Sequence, residues 1–463
     1  MRASSAGSAS NASALRGTSV IVAGAGLAGL TAACDLMSMG ADVTVVDARE
    51  RVGGRVLTIR DGFVNRQHGE AGGEMIDEAQ HEIRELAASL GLKLARILRG
   101  GFGYVRADAA GRPRITGRSG LRGWDRVSTE LATLIRRYKL AEQRWDSPIA
   151  ADIARRSVGD WLDEMSADAE LRETALGLRG FFLADPDELS LIAFVDQFAN
   201  PDQPARSGVY RIVGGSDRLP MALAARLGDR VRLGAELVAV SVRGQHVHAN
   251  IKQQRMTATM TADYLVFALP ASLLRRVPIV PALPTPQHQA IVSLGYGHAT
   301  KTLLQFDRRF WRAPGRPRAF GSPMPFGALW EGNEEQPAKP GILSLLAGGG
   351  ASDATQAAIA ADGIERFAAN LSWLGHGEPA RLLASRQVVW ESDPLARGGY
   401  AFFGPSFDPA LRDWLARPAG RLLFAGEHTS VRWQGYMNGA VESGRRAALE
   451  VRAIARLGNP VTF

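Results

Sequence analysis

The sequence predicts an α/β protein with two domains, and three observations support this. An apolar strand, a glycine-rich turn, a helix and a second strand follow one another in residues 19–46, an order typical of a parallel sheet covered by helices. The length of 463 residues exceeds one ordinary domain. Residues 96–209 are dominated by amphipathic helical patterns and residues 289–387 alternate strands with a helix, which indicates an α+β second domain.

Composition limits the class of protein. Hydrophobic residues make up 46% and charged residues 22% of the chain, as in soluble globular proteins. The net charge of +8 comes from Arg and Lys scattered among acids, so we expect no nucleic-acid partner. The single cysteine, Cys34, favours a reducing compartment. No stretch reaches the ~18 apolar residues of a membrane span, so we expect a cytoplasmic protein without membrane attachment. The Ala- and Ser-rich residues 1–16 predict a disordered tail.

The first glycine turn is a dinucleotide-binding fingerprint in its required context. A strand over Ser19 to Ala23 enters the sequence GAGLAG, and a helix follows to about Met39. A second strand then ends at Asp47, whose carboxylate suits a ribose hydroxyl. The first glycine makes the turn, the second lets the backbone approach a pyrophosphate, and the third lets helix and strand touch. The predicted contacts of this motif are Gly24, Gly26, Leu27, Ala28, Gly29 and Asp47.

A second glycine pair favours FAD over NAD. The sequence "DARERVGGRVLT" starts at Asp47 and places two glycines and an arginine directly after the acid. Backbone donors and a guanidinium suit a second phosphate contact, which a permanently held FAD needs and NAD does not. We therefore expect bound FAD. The predicted contacts in this stretch are Ala48, Arg49, Gly53, Gly54 and Arg55.

With these two blocks the sequence resembles the flavin-containing amine oxidase family, which includes monoamine oxidases, polyamine oxidases and flavin-dependent histone demethylases. Asp47 stands where the family usually has Glu. The resemblance extends to "YRIVGGSDRLPMALAARLGDRVRLGAELVAVSV" (210–242) and "ADYLVFALPASLL" (262–274). It also extends to "HGEAGGEMIDEAQHEIRELAASLGL" (68–92), "YGHATKTLLQFDRRFW" (296–311), "VVWESDPLARGGYAFFG" (388–404) and "LLFAGEHTSVRWQGYMNGAVESGRRAALEV" (422–451), of which the last is the most specific.

The resemblance implies a particular division of the chain. A Rossmann-type FAD-binding domain is assembled from three chain segments and is interleaved with an α+β substrate-binding domain. The FAD-binding segments are 17–95, 210–288 and 388–455, and the substrate-binding segments are 96–209 and 289–387. Independently of the resemblance, the Pro and Gly content of residues 312–340 predicts loops there.

The resemblance also implies FAD contacts in the later blocks. Paired glycines lie beside the flavin, a backbone position in the 210–242 block meets the adenine, and an acid in the last block binds the ribityl or phosphate part. Backbone N–H groups at the start of the last helix face the N1–O2 edge of the flavin, where a helix N-terminus stabilises negative charge. The residues in these places are Gly72, Gly73, Glu74, Met75, Val238, Gly426, Glu427, Gly435, Tyr436, Met437 and Ala440.

Three residues match the family's chemistry. Tyr400 and Tyr436 match two rings that stand against the flavin face and sandwich the amine. Lys301 matches a lysine that holds a water near flavin N5 and assists the reaction with O2, although it could instead face outward from its strand. Gly399 stands where mammalian monoamine oxidases carry the cysteine that links to FAD. The resemblance therefore implies non-covalent FAD.

The predicted function is oxidation of a small primary or secondary amine to an imine, with O2 reduced to H2O2. No metal site is predicted, and a homodimer is left open. An L-amino-acid oxidase on the same fold is the alternative, but the stretch Gly72 to Asp77 has acids and no arginine to hold a carboxylate. A flavin desaturase and a flavin-binding regulatory protein without turnover are further alternatives, and neither needs both tyrosines.

Overall fold

The computed structural model describes residues 14–108, 112–116, 126–199, 208–313, 316–375 and 380–457. Residues 1–13 of the predicted tail lie outside this part. The end of that tail is not disordered, because the apolar Leu15 is buried and its amide donates to the Met39 carbonyl at 2.8 Å. Within the described ranges, every helix is too short or too polar to cross a bilayer.

One half of the molecule is built on a five-stranded parallel sheet. In spatial order its strands are Val231–Arg232, Asp42–Val46, Ser19–Ala23, Tyr264–Phe267 and Leu422–Phe424. The central strands are short, buried apolar runs, as expected for parallel strands covered on both faces. Each of the segments 17–95, 210–288 and 388–455 contributes at least one strand. The sheet is therefore assembled from parts of the chain that are far apart in sequence.

Helices cover this sheet with close contacts. The C-terminal helix, Met437–Leu457, packs along the first helix, Leu27–Ser38. At their crossing a Cβ atom on Gly444 would overlap the Ala28 carbonyl oxygen, so only glycine allows this approach. Two further helices, Arg218–Leu227 and His81–Ser89, pack against the first and the C-terminal helix respectively.

The other half contains a seven-stranded sheet. In spatial order its strands are Leu382–Val389, Ala299–Phe306, Gly341–Gly348, Ala328–Glu331, Ala319–Gly321, Phe102–Ala107 and Pro113–Thr116. Neighbours are antiparallel, except that Ala319–Gly321 and Phe102–Ala107 run parallel. Two strands lie within residues 312–340, so the prediction of loops there was wrong. Burial of side chains such as Phe320 and Trp330 outweighs the local Pro and Gly content.

Helices pack around this second sheet. Val158–Glu164 begins with a capping box, in which the Ser157 hydroxyl accepts from the Asp160 amide at 2.9 Å and the Asp160 carboxylate accepts from the Ser157 amide at 2.8 Å. The other helices of this half are Ala132–Leu140, Pro148–Ala154, Ala169–Gly177, Arg179–Phe182, Leu191–Ala199, Gly350–Asp362 and Ile364–Ala369.

Smaller elements complete the fold. An antiparallel meander consists of Ala235–Arg243, His246–Gln253 and Met256–Ala262, with Ile279–Val280 along its edge. Other pairings join Val209–Ile212 to Ile76–Asp77 and Leu94–Ile97, Thr58–Ile59 to Gly69–Glu70, and Gly295–Tyr296 to Ala401–Phe402. Short helical elements are Val64–Arg66, Gly228–Arg230, Ala271–Leu274, Thr285–Ser293, Ser372–Leu374, Pro409–Leu415 and Glu427–Thr429. The predicted domain boundary at 387/388 lies inside the strand Leu382–Val389, and the division itself stays a prediction.

Candidate active site

A cavity of about 940 Å³ is lined by residues of both large sheets. It includes Ala23 and Val46, the last residues of two parallel strands. Open α/β sheets bind ligands outside the carboxyl ends of their strands. Every predicted site residue except Gly29 lines this cavity, from the first glycine turn to the C-terminal helix.

The three glycines of the first turn have different surroundings. Gly24 has φ of +112°, and a Cβ atom there would lie 2.7 Å from the Ala268 carbonyl oxygen. A Cβ on Gly29 would overlap the Gly24 carbonyl oxygen, so Gly29 serves the helix–strand contact rather than the cavity wall. At Gly26, the N-cap of the first helix, nothing lies within 4 Å of a Cβ position. This open space at a helix N-terminus suits an anionic group.

The second glycine pair lies against this turn. Gly53 forms a bridge with Gly26, and its amide donates to the Ala25 carbonyl at 2.8 Å. The Asp47 carboxylate accepts from the amides of Ala25 at 2.6 Å and Arg49 at 2.8 Å, and burial raises its pKa. The two sequence motifs therefore meet at one end of the cavity.

Both arginines predicted near the phosphates have protein partners. Arg49 makes two hydrogen bonds to Asp393, at 3.0 and 2.8 Å. Arg55 donates to Glu427 at 3.1 Å and to the Gly399 carbonyl. Phosphate contact by these guanidinium groups stays a prediction.

Glu427 joins the closing blocks of the chain to the first one. Besides Arg55, it accepts from the amide of Ala401 at 3.2 Å and from that of Gly435 at 2.9 Å. It is buried, and each of its oxygens already accepts a hydrogen bond. Glu427 therefore holds parts of the cavity wall together. Direct binding of a cofactor by Glu427 stays a prediction.

Two backbone irregularities face the cavity. Val238 lies at a bulge, since the pairing of its strand with His246–Gln253 shifts between Leu237 and Ala239. At the paired glycines, a Cβ on Gly73 would lie 2.9 Å from the Met437 sulfur, and one on Gly72 would overlap a carbonyl oxygen of the first block. The glycine pair therefore lies between the first block and the start of the C-terminal helix, and its predicted place beside a flavin stays a prediction.

Tyr400 and Tyr436 line the cavity close to each other. The Tyr400 hydroxyl donates to the Phe181 carbonyl, and burial, with a smaller effect of Tyr436, raises its pKa. The Tyr436 hydroxyl accepts from the Gln197 amide group at 3.2 Å. A Cβ atom on Gly435 would lie 3.3 Å from the Tyr400 ring, so the turn before Tyr436 passes directly beside that ring. Both rings are fixed by contacts to the helices around residues 179–199.

Lys301 points into the interior. Its side chain is 3% exposed, and its ammonium group donates to Glu74 at 2.8 Å and lies 4.0 Å from the centre of the Trp330 ring. Burial lowers the pKa of Lys301, and Glu74 acts against that shift. The alternative of an outward-facing lysine is therefore excluded.

Several polar residues of the site were missed by the sequence analysis. Arg211, fully buried, pairs with Glu74. Asp196 lines the cavity, accepts from the Tyr138 hydroxyl at 2.8 Å, and has a pKa raised to about 6 by burial. The sequence contained a signal for each of these two residues. Asp196 is an acid within the apolar helix LIAFVDQFA, and Arg211 is an arginine within the strand VYRI. Gln197, beside Asp196, gave no such signal.

One cluster in the described residues has ligand groups near enough for a metal ion: His298, Asp353 and Glu391. Two of the three are exposed. Glu391 accepts from the Ala299 amide at 2.9 Å and from the Ser352 hydroxyl at 2.7 Å. Both of its oxygens thus have protein donors, so the cluster is explained without an ion.

The chain is similar to known flavoproteins over nearly its whole length. The family model described as "Flavin containing amine oxidoreductase" matches residues 27–452, which include all predicted site residues except Gly24 and Gly26. AofH of Mycobacterium tuberculosis, assigned by name to the flavin-containing monoamine oxidases, is 28% identical over 452 residues, with 94% of this chain and 96% of that protein covered. Amine oxidase A of Equus caballus is 26% identical over 475 residues, with 93% and 84% covered.

Solved structures show the same likeness. A triple mutant of putrescine oxidase has a TM-score of 0.82 and 26% identity, with 95% of this chain and 99% of that chain covered. Cyclohexylamine oxidase from Brevibacterium oxydans has a TM-score of 0.83 and 24% identity, with 95% and 99% covered, and bears on the fold alone. The predicted α/β fold class is confirmed.

Proposed function

Because this chain belongs to the flavin-containing amine oxidoreductase family, and is thus an oxidoreductase acting on CH–NH groups, we propose that it oxidises a primary or secondary amine to an imine with O2 as acceptor. The amine loses two electrons and two protons, and O2 takes up both to form H2O2. Water then hydrolyses the imine to an aldehyde or ketone, with release of ammonia from a primary amine or of a smaller amine from a secondary amine. The observation that carries the proposal is that Lys301, Tyr400 and Tyr436 line one cavity with the glycine turns.

The cofactor we propose is FAD, held without a covalent bond. When bound, the flavin supplies the acceptor for both electrons of the amine. The chain fits such a group, because the open space at Gly26 suits a pyrophosphate and the bulge at Val238 frees backbone for an adenine. Gly399 has no side chain that could form a link. We assign the segments 17–95, 210–288 and 388–455 to an FAD-binding domain. The segments 96–209 and 289–387 are assigned to a substrate-binding domain.

Tyr400 and Tyr436 are proposed to hold the amine. Their electron-rich ring faces can flank an amine nitrogen from two sides and so orient its α-carbon. Phe102, Phe181 and Phe182 also line the cavity. These rings help to exclude water from the cavity.

The charges of the wall favour amines over α-amino acids. Of the described residues, five arginines line the cavity: Arg49, Arg55, Arg276, Arg412 and Arg432. Arg49 bonds to Asp393, Arg55 to Glu427, and Arg412 to two main-chain carbonyls. Asp77 and Asp196 are also in the wall, and burial raises the pKa of each to about 6. Neither acid can pair with a carboxylate, and each repels one when it is ionised. A substrate carboxylate would be repelled, and an unpaired buried charge costs several kcal/mol.

A peroxide-coupled screen of the purified yellow protein tests this function. Each α-amino acid is paired with the amine formed by its decarboxylation, beside mono-, di- and polyamines. We expect peroxide from amines and negligible turnover of the amino acids. Faster oxidation of the amino acids would contradict the proposal and favour the L-amino-acid oxidase. Bound flavin without oxidation of either class would favour the desaturase or the regulatory protein.

A further inference from the structure

Four charged side chains form a buried row that ends at the cavity. Glu335 pairs with Arg211, Arg211 pairs with Glu74, and Glu74 pairs with Lys301. The exposed fractions of these side chains are 7%, 0%, 3% and 3% in that order. The signs alternate, so the row carries no net charge. Removing an inner member, Arg211 or Glu74, would leave an end member buried without its ionic partner in the row, which is strongly destabilising.

Within this row Glu74 is held so that one oxygen remains for the lysine. Its Oε1 accepts from Arg211 and from the Trp330 indole N–H at 2.8 Å, while Oε2 accepts from Lys301 at 2.8 Å. The Trp330 ring face also lies against the Lys301 ammonium group. Two neighbours therefore fix the carboxylate, and the carboxylate and the ring together fix the ammonium.

We propose that Glu74, clamped by Arg211 and Trp330, is a positioning residue that keeps Lys301 charged and fixed at the cavity wall for the reaction with O2. What Lys301 does there rests on the proposed function, whereas its charge and position do not. Burial opposes ionisation of Glu74, but Lys301 and Arg211 hold the pKa of this carboxyl below its usual value.

Glu70 is the other buried acid near Lys301 and provides a control. It bonds to the Thr58 hydroxyl at 2.7 Å and to the Ser216 amide at 3.0 Å, not to the lysine. Burial raises its pKa to about 7. Since Glu70 acts on Lys301 only at a distance, its removal changes the lysine much less than removal of Glu74.

The scarcity of lysine makes a direct measurement practical. The chain has five lysines, Lys93, Lys139, Lys252, Lys301 and Lys339, so lysine labelled with ¹³C at the ε-carbon gives few NMR signals. Loss of one signal in Lys301→Met assigns it. Titrating the apoprotein, we expect Glu74→Gln to lower the Lys301 midpoint by at least about one pH unit, the effect of removing an adjacent opposite charge. Glu70→Gln should shift it by much less.

Glu74→Asp keeps the negative charge but moves it away from Lys301 by the length of one methylene group. This variant is used for the test if Glu74→Gln does not fold. We expect its Lys301 midpoint to fall below that of the parent while staying above that of Glu74→Gln. An unchanged midpoint in every folded Glu74 variant would overturn the proposal. A purely structural role for Glu74 would alter stability without moving this titration.

The second measurement is reoxidation of the holoenzyme after reduction with dithionite. We expect the Glu74 variant to react with O2 at least about 10-fold more slowly than the parent, while anaerobic reduction by an amine changes by no more than about 3-fold. If the titration midpoint of Lys301 shifts but the rate of flavin reoxidation by O2 does not change, the proposed role of Glu74 in the reaction with O2 is overturned. A parent enzyme that is not oxidised faster than free reduced flavin would instead count against the proposed oxidase function.

Discussion

Gly399 determines how a flavin can be attached at the closing block. A Cβ atom there would overlap the Leu183 side chain and lie 2.9 Å from the Ala299 Cβ, so no side chain fits without rearrangement. The residue offers neither a sulfur nor room for one. Under the proposed non-covalent binding, retention of the cofactor depends on its contacts with the cavity wall.

We predict that acid or heat denaturation releases all flavin as intact FAD, because Gly399 cannot form a thioether. Absorbance and mass spectrometry of the supernatant check this, with the precipitate as the companion sample. As a comparison, Gly399→Cys should lower the unfolding temperature, since overpacking a tight site costs about 1–3 kcal/mol. Flavin that stays on the precipitated parent chain would contradict non-covalent binding.

The ring of Tyr436, more than its hydroxyl, should matter for amine oxidation. The hydroxyl accepts from the Gln197 side-chain amide at 3.2 Å, while the ring lines the same cavity as Tyr400. We predict that Tyr436→Ala slows flavin reduction by about 10-fold or more, the scale of ~1.4 kcal/mol of lost orientation. Tyr436→Phe is the matched control and should be mild. Anaerobic stopped-flow reduction measures both.

Equal rates for Tyr436→Phe and Tyr436→Ala would show that the ring does not orient the substrate. Substitutions of Tyr400 test the second ring that is proposed to orient the amine. Tyr400→Ala should have a similar effect, but Tyr400→Phe also leaves the part-buried Phe181 carbonyl without the donor that Tyr400 supplies. We therefore expect Tyr400→Phe to lower stability, seen as a lower unfolding temperature, more than Tyr436→Phe does.

Among the elements, the packing of the C-terminal helix on the first helix controls one end of the cofactor site. Gly444 lies at the crossing, where a Cβ would overlap the Ala28 carbonyl. A helical Gly→Ala change normally stabilises by about 0.5–1 kcal/mol. Here we predict the opposite sign, a lower unfolding temperature and weaker FAD retention, because the helices must separate.

Leu449→Ala on the same helix is the control, since Leu449 is 45% exposed. It should leave both the unfolding temperature and the FAD content close to those of the parent. A rise in unfolding temperature for Gly444→Ala would show that the crossing tolerates a methyl group. Calorimetry and the flavin-to-protein absorbance ratio decide between these results.

The elements differ in how far the sequence predicted them. The first strand–turn–helix unit was predicted closely, because its signals are local: Gly24 has a positive φ, and a Cβ on Gly29 would overlap the Gly24 carbonyl oxygen. The strand Ala328–Glu331 was missed, because its stability comes from neighbours in the seven-stranded sheet rather than from local composition. Arg211 was missed for a similar reason. An arginine in an apolar strand is visible in the sequence, but its partner Glu74 is far away in the chain, and one sequence does not show that the two residues pair.

For the molecule as a whole, the cavity exists only when distant segments come together. Three chain segments supply the parallel sheet, and both large sheets supply the cavity wall. Binding of FAD should therefore stabilise all three segments together rather than the first turn alone. A ligand that binds only the folded state stabilises it by mass action.

Hydrogen exchange of the apoprotein with and without FAD tests this assembly. We predict added protection in Leu27–Ser38, in Ala235–Arg243 and in Met437–Leu457, because each touches the proposed cofactor end of the cavity. The strands Gly341–Gly348 and Leu382–Val389 serve as the internal control and should change less, since only Leu346 of these two strands lines the cavity. Protection confined to residues 19–55 would mean that the first motif binds FAD without the other segments, and the three-segment domain would be wrong.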